Sequence, residues 1–307
     1  MKVFHSLSDA SELAGSALAL GNFDGVHLGH QALFRLANSL GRPAALTFEP
    51  HPGKVLQPKL APKLITSLAR KLELFSENGL AAAVVVPFTL GYATTSAEAF
   101  EASLLEGLGV AHLVVGQDFT YGARRSGTVA RLRRAALARS AQLHVVEPVT
   151  VEGVVASSSR IREYLLEGRV SAARALLGRP FDLDGVVVRG DGRGRTLGWP
   201  TANVDTDAEI RPGSGVYAVR LRLGPSPTAP WRGGAAIVGS RPTFGGTDVS
   251  VEVHVLDWSG DLYGQQVRVE FLERLRPEQR FGSVPELAAQ IRRDVEAARS
   301  VLGLPGG

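Results

Sequence analysis

The chain of 307 residues contains no cysteine. Disulfides, thiolate nucleophiles and cysteine-based zinc sites are therefore excluded in any compartment, and a bound metal must use oxygen or imidazole ligands. Lysine is scarce as well: Lys2, Lys54, Lys59, Lys63 and Lys71 all lie in the first quarter, and every later cation is arginine or histidine. Beyond Lys71 neither a Walker-type Gly-x-x-x-x-Gly-Lys loop nor a kinase-type strand lysine can exist. Phosphates bound there must be held by magnesium, arginine, backbone N–H groups or helix ends. No apolar run approaches the roughly 18 residues of a membrane span, and Met1-Lys-Val-Phe-His5 lacks the basic and apolar blocks of a signal peptide. The expectation is a cytoplasmic protein with no membrane role, of about two domains.

The net charge is +4 with an uneven distribution. Arg124, Arg125, Arg131, Arg133 and Arg134 form a basic run, but no stacking aromatics alternate with it beyond Tyr121. A solvated helix face with one phosphate-facing arginine is the expected reading, and a nucleic-acid-binding barrel protein is the alternative from a different class.

Between 17 and 147, short apolar runs alternate with helical patterns. Ala17–Leu20, Ala44–Phe48, Ala82–Val86, His112–Val115 and Gln142–Val146 read as strands. Such strands predict a parallel sheet covered on both faces, with ligands at the carboxyl ends. The loops at 21–30, 49–52 and 116–127 then fall on one edge. A helix pattern over Arg160–Leu177 stops at Gly178-Arg-Pro180, which places the expected boundary between domains 1–180 and 181–307. Afterwards, Asp184–Arg189, Gly215–Leu223, Gly234–Val238, Val249–Leu256 and Gln266–Phe271 read as short strands of an antiparallel barrel. Ser283-Val-Pro-Glu286 reads as a capping box opening a last helix. The fold class is thus α/β, a Rossmann-like domain followed by a β-barrel with a C-terminal helix.

Two stretches carry phosphate chemistry. In Gly21-Asn22-Phe23-Asp24-Gly25-Val26-His27-Leu28-Gly29-His30, a helix starting near Val26 would put both imidazoles on its first turn beside unsatisfied N–H groups, an anion site. A metal site of His27, His30, Asp24 and His51 is the competing reading, and a surface histidine pair the bland one. In the second stretch, Val188-Arg-Gly190-Asp-Gly192-Arg-Gly194-Arg195 is followed by Gly198 and Pro200, where a dinucleotide fold would start a helix. A glycine-rich flap whose N–H groups wrap phosphates fits better, with a hairpin turn as the plain reading. Thr201 and Asn203 share a face if extended and offer hard oxygens for Mg²⁺. In Val249-Ser-Val-Glu252-Val-His254-Val255 the valines alternate to one side, leaving Ser250, Glu252 and His254 on the other.

The motifs Gly21–His30, Phe48-Glu-Pro-His-Pro52, Val115-Gly-Gln-Asp-Phe-Thr-Tyr-Gly122 and Ser157-Ser-Ser-Arg-Ile-Arg162, in this order, resemble bacterial bifunctional riboflavin kinase/FAD synthetases. Gly194-Arg-Thr-Leu-Gly-Trp-Pro-Thr-Ala-Asn203 resembles the riboflavin kinase signature of the same family. The resemblance implies two ATP-dependent activities on small molecules, without nucleic acid: phosphorylation of riboflavin to FMN by the barrel, and adenylylation of FMN to FAD by the first domain. It implies Mg²⁺ at both sites, bound in the kinase by Thr201 and Asn203. Retention of only one activity is the alternative within the family.

By the same resemblance, His27, His30 and Arg162 act on the ATP phosphates, with Gly21, Asn22, Phe23, Asp24, Gly25 and the hydroxyls of Ser157, Ser158 and Ser159 around them. Asp118, Phe119 and Arg125, after the strand ending at Gly116, are the flavin-side candidates. An FMN phosphate is already ionised and needs no base, whereas the riboflavin hydroxyl is a poor nucleophile and needs a carboxylate, assigned to Glu252. Arg276 is the flavin candidate of the kinase, and Gly190, Gly192, Gly194 and Arg195 the phosphate flap. The sequence departs from the usual family pattern at Ser159 (threonine), Trp199 (phenylalanine) and Ile237 (asparagine).

Overall fold

The fold is given by a computed structural model, which describes residues 1–190, 194, 198–243 and 246–305. Two compact units divide the chain, Met1–Ser158 and Ser159–Gly307.

The first unit is built on six parallel strands: β1 (Lys2–Phe4), β2 (Ala17–Leu20), β3 (Pro43–Glu49), β4 (Ala82–Pro87), β5 (His112–Gly116) and β6 (Gln142–Val146), in the order β1-β4-β3-β2-β5-β6. Five of these are the apolar runs read from the sequence. The edge strand β1 was not expected, since three residues carry no periodicity. Helices α1 (Leu28–Leu40), α2 (Leu68–Glu77) and α3 (Val129–Leu137) follow β2, β3 and β5. Apolar groups form a cluster on each face of the sheet: Leu18, Leu46, Val84 and Leu113 in one, Ala19, Ala45, Ala83 and Val114 in the other. Their alternation along each strand is why these runs are continuously apolar. The chain steps from β2 outward to β3 and β4, then returns to the other side of β2 as β5. That reversal opens a crevice at the carboxyl ends of β2 and β5, the position where open α/β sheets bind ligands.

The predicted helix over 160–177 is two helices, α4 (Ser158–Leu166) and α5 (Val170–Leu177). Gly168 interrupts it at φ +76°, where a Cβ would stand 2.6 Å from the Tyr217 hydroxyl oxygen, so only glycine lets the chain turn there. Gly178 caps α5 in the left-handed conformation, as its place before Arg179-Pro180 predicts. Because α5 buries Val170, Ala173, Leu176 and Leu177 and packs on strands of the barrel, it groups with the second unit, ahead of the change from helix to strand.

The barrel is closed and antiparallel. Its strands are β7 (Phe181–Val188), β8 (Ala202–Asp205), β9 (Gly215–Leu223), β10 (Trp231–Thr243), β11 (Gly246–Val255) and β12 (Gln266–Arg276), in the order β7-β8-β11-β10-β9-β12. Val251, Val253 and Val255 fill its interior, so Ser250, Glu252 and His254 lie on its outer face. Helix α6 (Val284–Leu302) packs outside on β9, β10 and β12. The Ser283 hydroxyl caps the Glu286 N–H, while the Glu286 carboxylate takes the N–H of Gly282. Among the described residues no helix is long and apolar enough to cross a membrane.

Candidate functional site

Between β2 and α1 the chain follows an unusual path: Phe23 and Val26 adopt φ +51° and +44°. Val26 therefore cannot begin the helix, and α1 starts at Leu28 with His27 as its N-cap, two residues later than predicted. The imidazoles of His27 and His30 still meet, stacked with centroids 3.6 Å apart, and Phe23 meets the His30 ring edge-on at 5.2 Å. Gly29 is what admits the His27 ring, because a Cβ there would lie 3.0 Å from it. The first N–H groups of α1, which have no acceptor within the helix, are backbone donors that an anion could use.

The loop is held from outside. The Asp24 carboxylate is buried and accepts from the N–H groups of Ile65 at 2.9 Å and Thr66 at 3.2 Å. Thr66 Oγ1 takes the Gly25 N–H, Thr47 donates to the Asn22 carbonyl, and Ser158 donates to the Asp24 carbonyl at 2.9 Å. Asp24 thus clamps the loop to the segment before α2. His51 caps the short helix Pro52–Leu56, its Nδ1 accepting from the Gly53 N–H. Asp24 and His51 are both engaged with backbone, which disfavours the four-ligand metal reading. Among the described residues, no group of three or more His, Asp or Glu side chains could hold a metal ion.

Burial pushes the pKa of His30 well below that of a free imidazole, and the neighbouring His27 and Lys71 add to this. Lys71, on α2, is 2% exposed, and burial lowers its pKa against the opposing pull of Asp24 and Glu49. The sequence reading missed it. Leu68-Ala-Arg-Lys-Leu72 reads as an ordinary amphipathic turn, and only the fold turns Lys71 inward.

Of the other predicted residues in this unit, Gly21 directly follows β2 and Gly25 takes φ +82°, with Ser157 just before α4. Phe119 is partly buried against the core and stacks on Tyr121, and the Phe119 N–H closes a turn onto the Gly116 carbonyl. Asp118 lies in that turn, and Arg125 is exposed with Nε donating to Thr120 Oγ1. Arg131 from the basic run pairs with Glu98 and the buried Glu101 at 2.8 and 2.7 Å. Ser159 and Arg162 are carried by α4, where Ser158 and Arg162, four apart, share a helix face.

On the barrel, Asn203 of β8 stands directly opposite Glu252 of β11, and Thr201 Oγ1 donates to Glu252 Oε2 at 3.3 Å. Val188 of β7 and Ile237 of β10 extend this row on either side. They are 39% and 40% exposed, so an oxygen-rich centre is flanked by open apolar surface. Gly190 lies so close that a Cβ would fall 2.2 Å from the Asn203 amide nitrogen. Gly194 accepts the Trp199 N–H at 2.8 Å. Gly192 and Arg195 lie outside the described residues. The Arg276 guanidinium is engaged by Asp294 of α6, at 2.8–3.1 Å through Nε and Nη2. Threonine hydroxyl, asparagine amide and carboxylate together form a donor set that suits Mg²⁺.

Residues 9–160 match the family model described as FAD synthetase, and residues 177–302 the one described as riboflavin kinase. The chain is 40% identical over 307 residues to a bifunctional riboflavin kinase/FMN adenylyltransferase of Escherichia coli (strain K12), covering 98% of this chain and 96% of that protein. It is 38% identical over 297 residues to the enzyme of the same name from Bacillus subtilis (strain 168), covering 94% and 92%. A Streptococcus pneumoniae crystal structure described as a macrolide-efflux protein superposes with a TM-score of 0.88 at 32% identity, covering 97% of this chain and 98% of that one. With both segments matched in this order and relatives of one description aligned along nearly its whole length, the chain belongs to the bifunctional riboflavin kinase/FMN adenylyltransferase family.

Proposed function

We propose that this chain makes FMN from riboflavin and ATP with residues 181–307, and FAD from FMN and ATP with residues 1–180, as a cytoplasmic enzyme acting on small molecules alone. The observation that carries the reading is the meeting of Thr201, Asn203 and Glu252 on the outer face of the barrel. In the kinase, Thr201 and Asn203 hold Mg²⁺, which when bound neutralises charge on the ATP phosphates. Glu252 takes the proton of the riboflavin 5′-hydroxyl as its oxygen bonds to the terminal phosphorus and ADP leaves. Gly190, Gly192, Gly194 and Arg195 cover the phosphates. Val188 and Ile237 give the flavin an apolar bed, with Arg276 at its margin.

In the adenylyltransferase the FMN phosphate oxygen attacks the α-phosphorus of ATP and pyrophosphate leaves, with no general base. Electrostatics carries the step: His27, His30, Arg162 and the first-turn N–H groups of α1 would stabilise the developing charge, and Mg²⁺, when bound, would neutralise the leaving pyrophosphate. Neutral before ATP binds, His30 gains proton affinity once phosphate charge arrives beside it. Gly21, Asn22, Phe23, Asp24 and Gly25 shape the nucleotide loop with Ser157, Ser158 and Ser159, and Asp118, Phe119 and Arg125 receive the flavin.

The test is a time course with riboflavin, ATP and MgCl₂, followed by chromatography and repeated from FMN. FAD from both starting flavins is expected. FAD from FMN alone removes the kinase, FMN without FAD removes the adenylyltransferase, and no conversion removes the reading altogether.

A further inference from the structure

His254 has no role in the chemistry above, yet it stands two residues from Glu252 on the same outer face of β11. Its Nδ1 lies 2.8 Å from the carbonyl oxygen of Pro200. A carbonyl only accepts, so Nδ1 carries the proton and donates. The Trp199 ring meets the imidazole edge-on, with centroids 5.3 Å apart and planes at 80°. One side chain therefore grips two consecutive residues of the segment that leads into Thr201 and Asn203. Pro200 has no N–H, so at that residue the chain has no backbone donor of its own and is held through its carbonyl.

We infer that His254 is a positioning residue of the kinase: through the Pro200 carbonyl it fixes the entry to β8, and so the placing of Thr201 Oγ1 and Asn203 for a divalent cation with its nucleotide phosphates. This rests on the kinase reading of the barrel. His254 touches no reacting atom. Its contribution is to hold two oxygen donors at a fixed separation from Glu252, which the hydrogen bond from Thr201 to that carboxylate already registers. Without the grip, the segment 199–201 keeps only the Thr201 bond to Glu252 as its side-chain tie to β11 among those described, and the donors spread over several positions.

Two variants separate the hydrogen bond from the ring contact. His254→Phe keeps a ring against Trp199 but has no donor, whereas His254→Asn loses the ring and presents an amide N–H near the place of Nδ1. Hydrogen exchange at the Thr201, Ala202 and Asn203 amides is read alongside riboflavin phosphorylation in the 307-residue chain. His254→Phe should speed exchange at these amides and raise the KM for Mg·ATP roughly three- to tenfold, the range of one lost hydrogen bond. The riboflavin KM and FAD formation from FMN should not move, and His254→Asn should restore most of both readouts. Unchanged exchange and KM in His254→Phe overturn the inference. So does an equal fall of kcat in both variants with the Mg·ATP KM unmoved, which would make the imidazole itself part of the chemistry. Faster exchange in a protein whose wild type phosphorylates no riboflavin overturns the kinase reading while leaving the anchor in place.

Discussion

At the scale of single residues, two carboxylates and one histidine carry distinct duties that substitution separates. Glu252→Gln preserves shape and hydrogen bonding at the barrel row but removes the proposed base. Riboflavin phosphorylation should fall by about two to four orders of magnitude while FAD formation from FMN continues, and an equal loss in both reactions would defeat the assignment. Asp24 is a different case. Its carboxylate is spent on the Ile65 and Thr66 amides, so Asp24→Ala leaves buried N–H groups unpaired and should lower stability by about 1–3 kcal/mol, visible as a shifted denaturant midpoint. His30 and Lys71 share one consequence. Both have pKa values below their ordinary ones in the folded state, so the unfolded chain binds more protons. Stability from the neutral His30 is present above the unfolded value of about 6.5 and is lost as pH falls through its lower folded value. Chemical denaturation across that range should show the loss, and His30→Gln should flatten it. A profile that His30→Gln leaves as steep would place the proton uptake elsewhere.

At the scale of elements, the sequence showed what depends on period and punctuation and hid what depends on neighbours from afar. The five strands β2 to β6 and the cap at Ser283 were legible because alternation, apolar runs and capping residues are local signals. So was the outward face of β11, since the three valines could only point one way. The break between α4 and α5 was not legible: a lone glycine in a helix pattern reads as a small penalty until Tyr217 is seen packed against it. Lys71 and the grip of His254 on Pro200 were hidden for the same reason, being contacts of distant segments. Helix α6 gives a test of this tertiary layer. Its Asp294, 7% exposed, accepts from the Arg276 guanidinium in bidentate fashion, Nε to Oδ1 and Nη2 to Oδ2, joining the helix to β12. Asp294→Ala strands a largely buried arginine and should destabilise the barrel by roughly 3–5 kcal/mol, measured as a drop in the urea midpoint. A change within experimental error would mean the ion pair is dispensable to the docking of α6.

At the scale of the whole molecule, two unrelated architectures place chemistry where each offers it most readily. The parallel sheet presents strand ends and a helix N-terminus, and it receives the reaction that needs anion stabilisation and no base. The barrel presents alternating side chains on its outer wall, and it receives the reaction for which a carboxylate in register with metal-binding oxygens is proposed above. FMN is the product of one reaction and the substrate of the other, so variants at the two centres should complement each other if it passes through solution. His27→Ala should convert riboflavin only as far as FMN, and Glu252→Gln should leave riboflavin untouched while still adenylylating added FMN. Mixed together with riboflavin, ATP and MgCl₂, the two proteins should form FAD after a lag whose length shortens as total protein rises. A mixture that accumulates FMN without FAD, although Glu252→Gln handles added FMN normally, would show that FMN stays on the chain that made it.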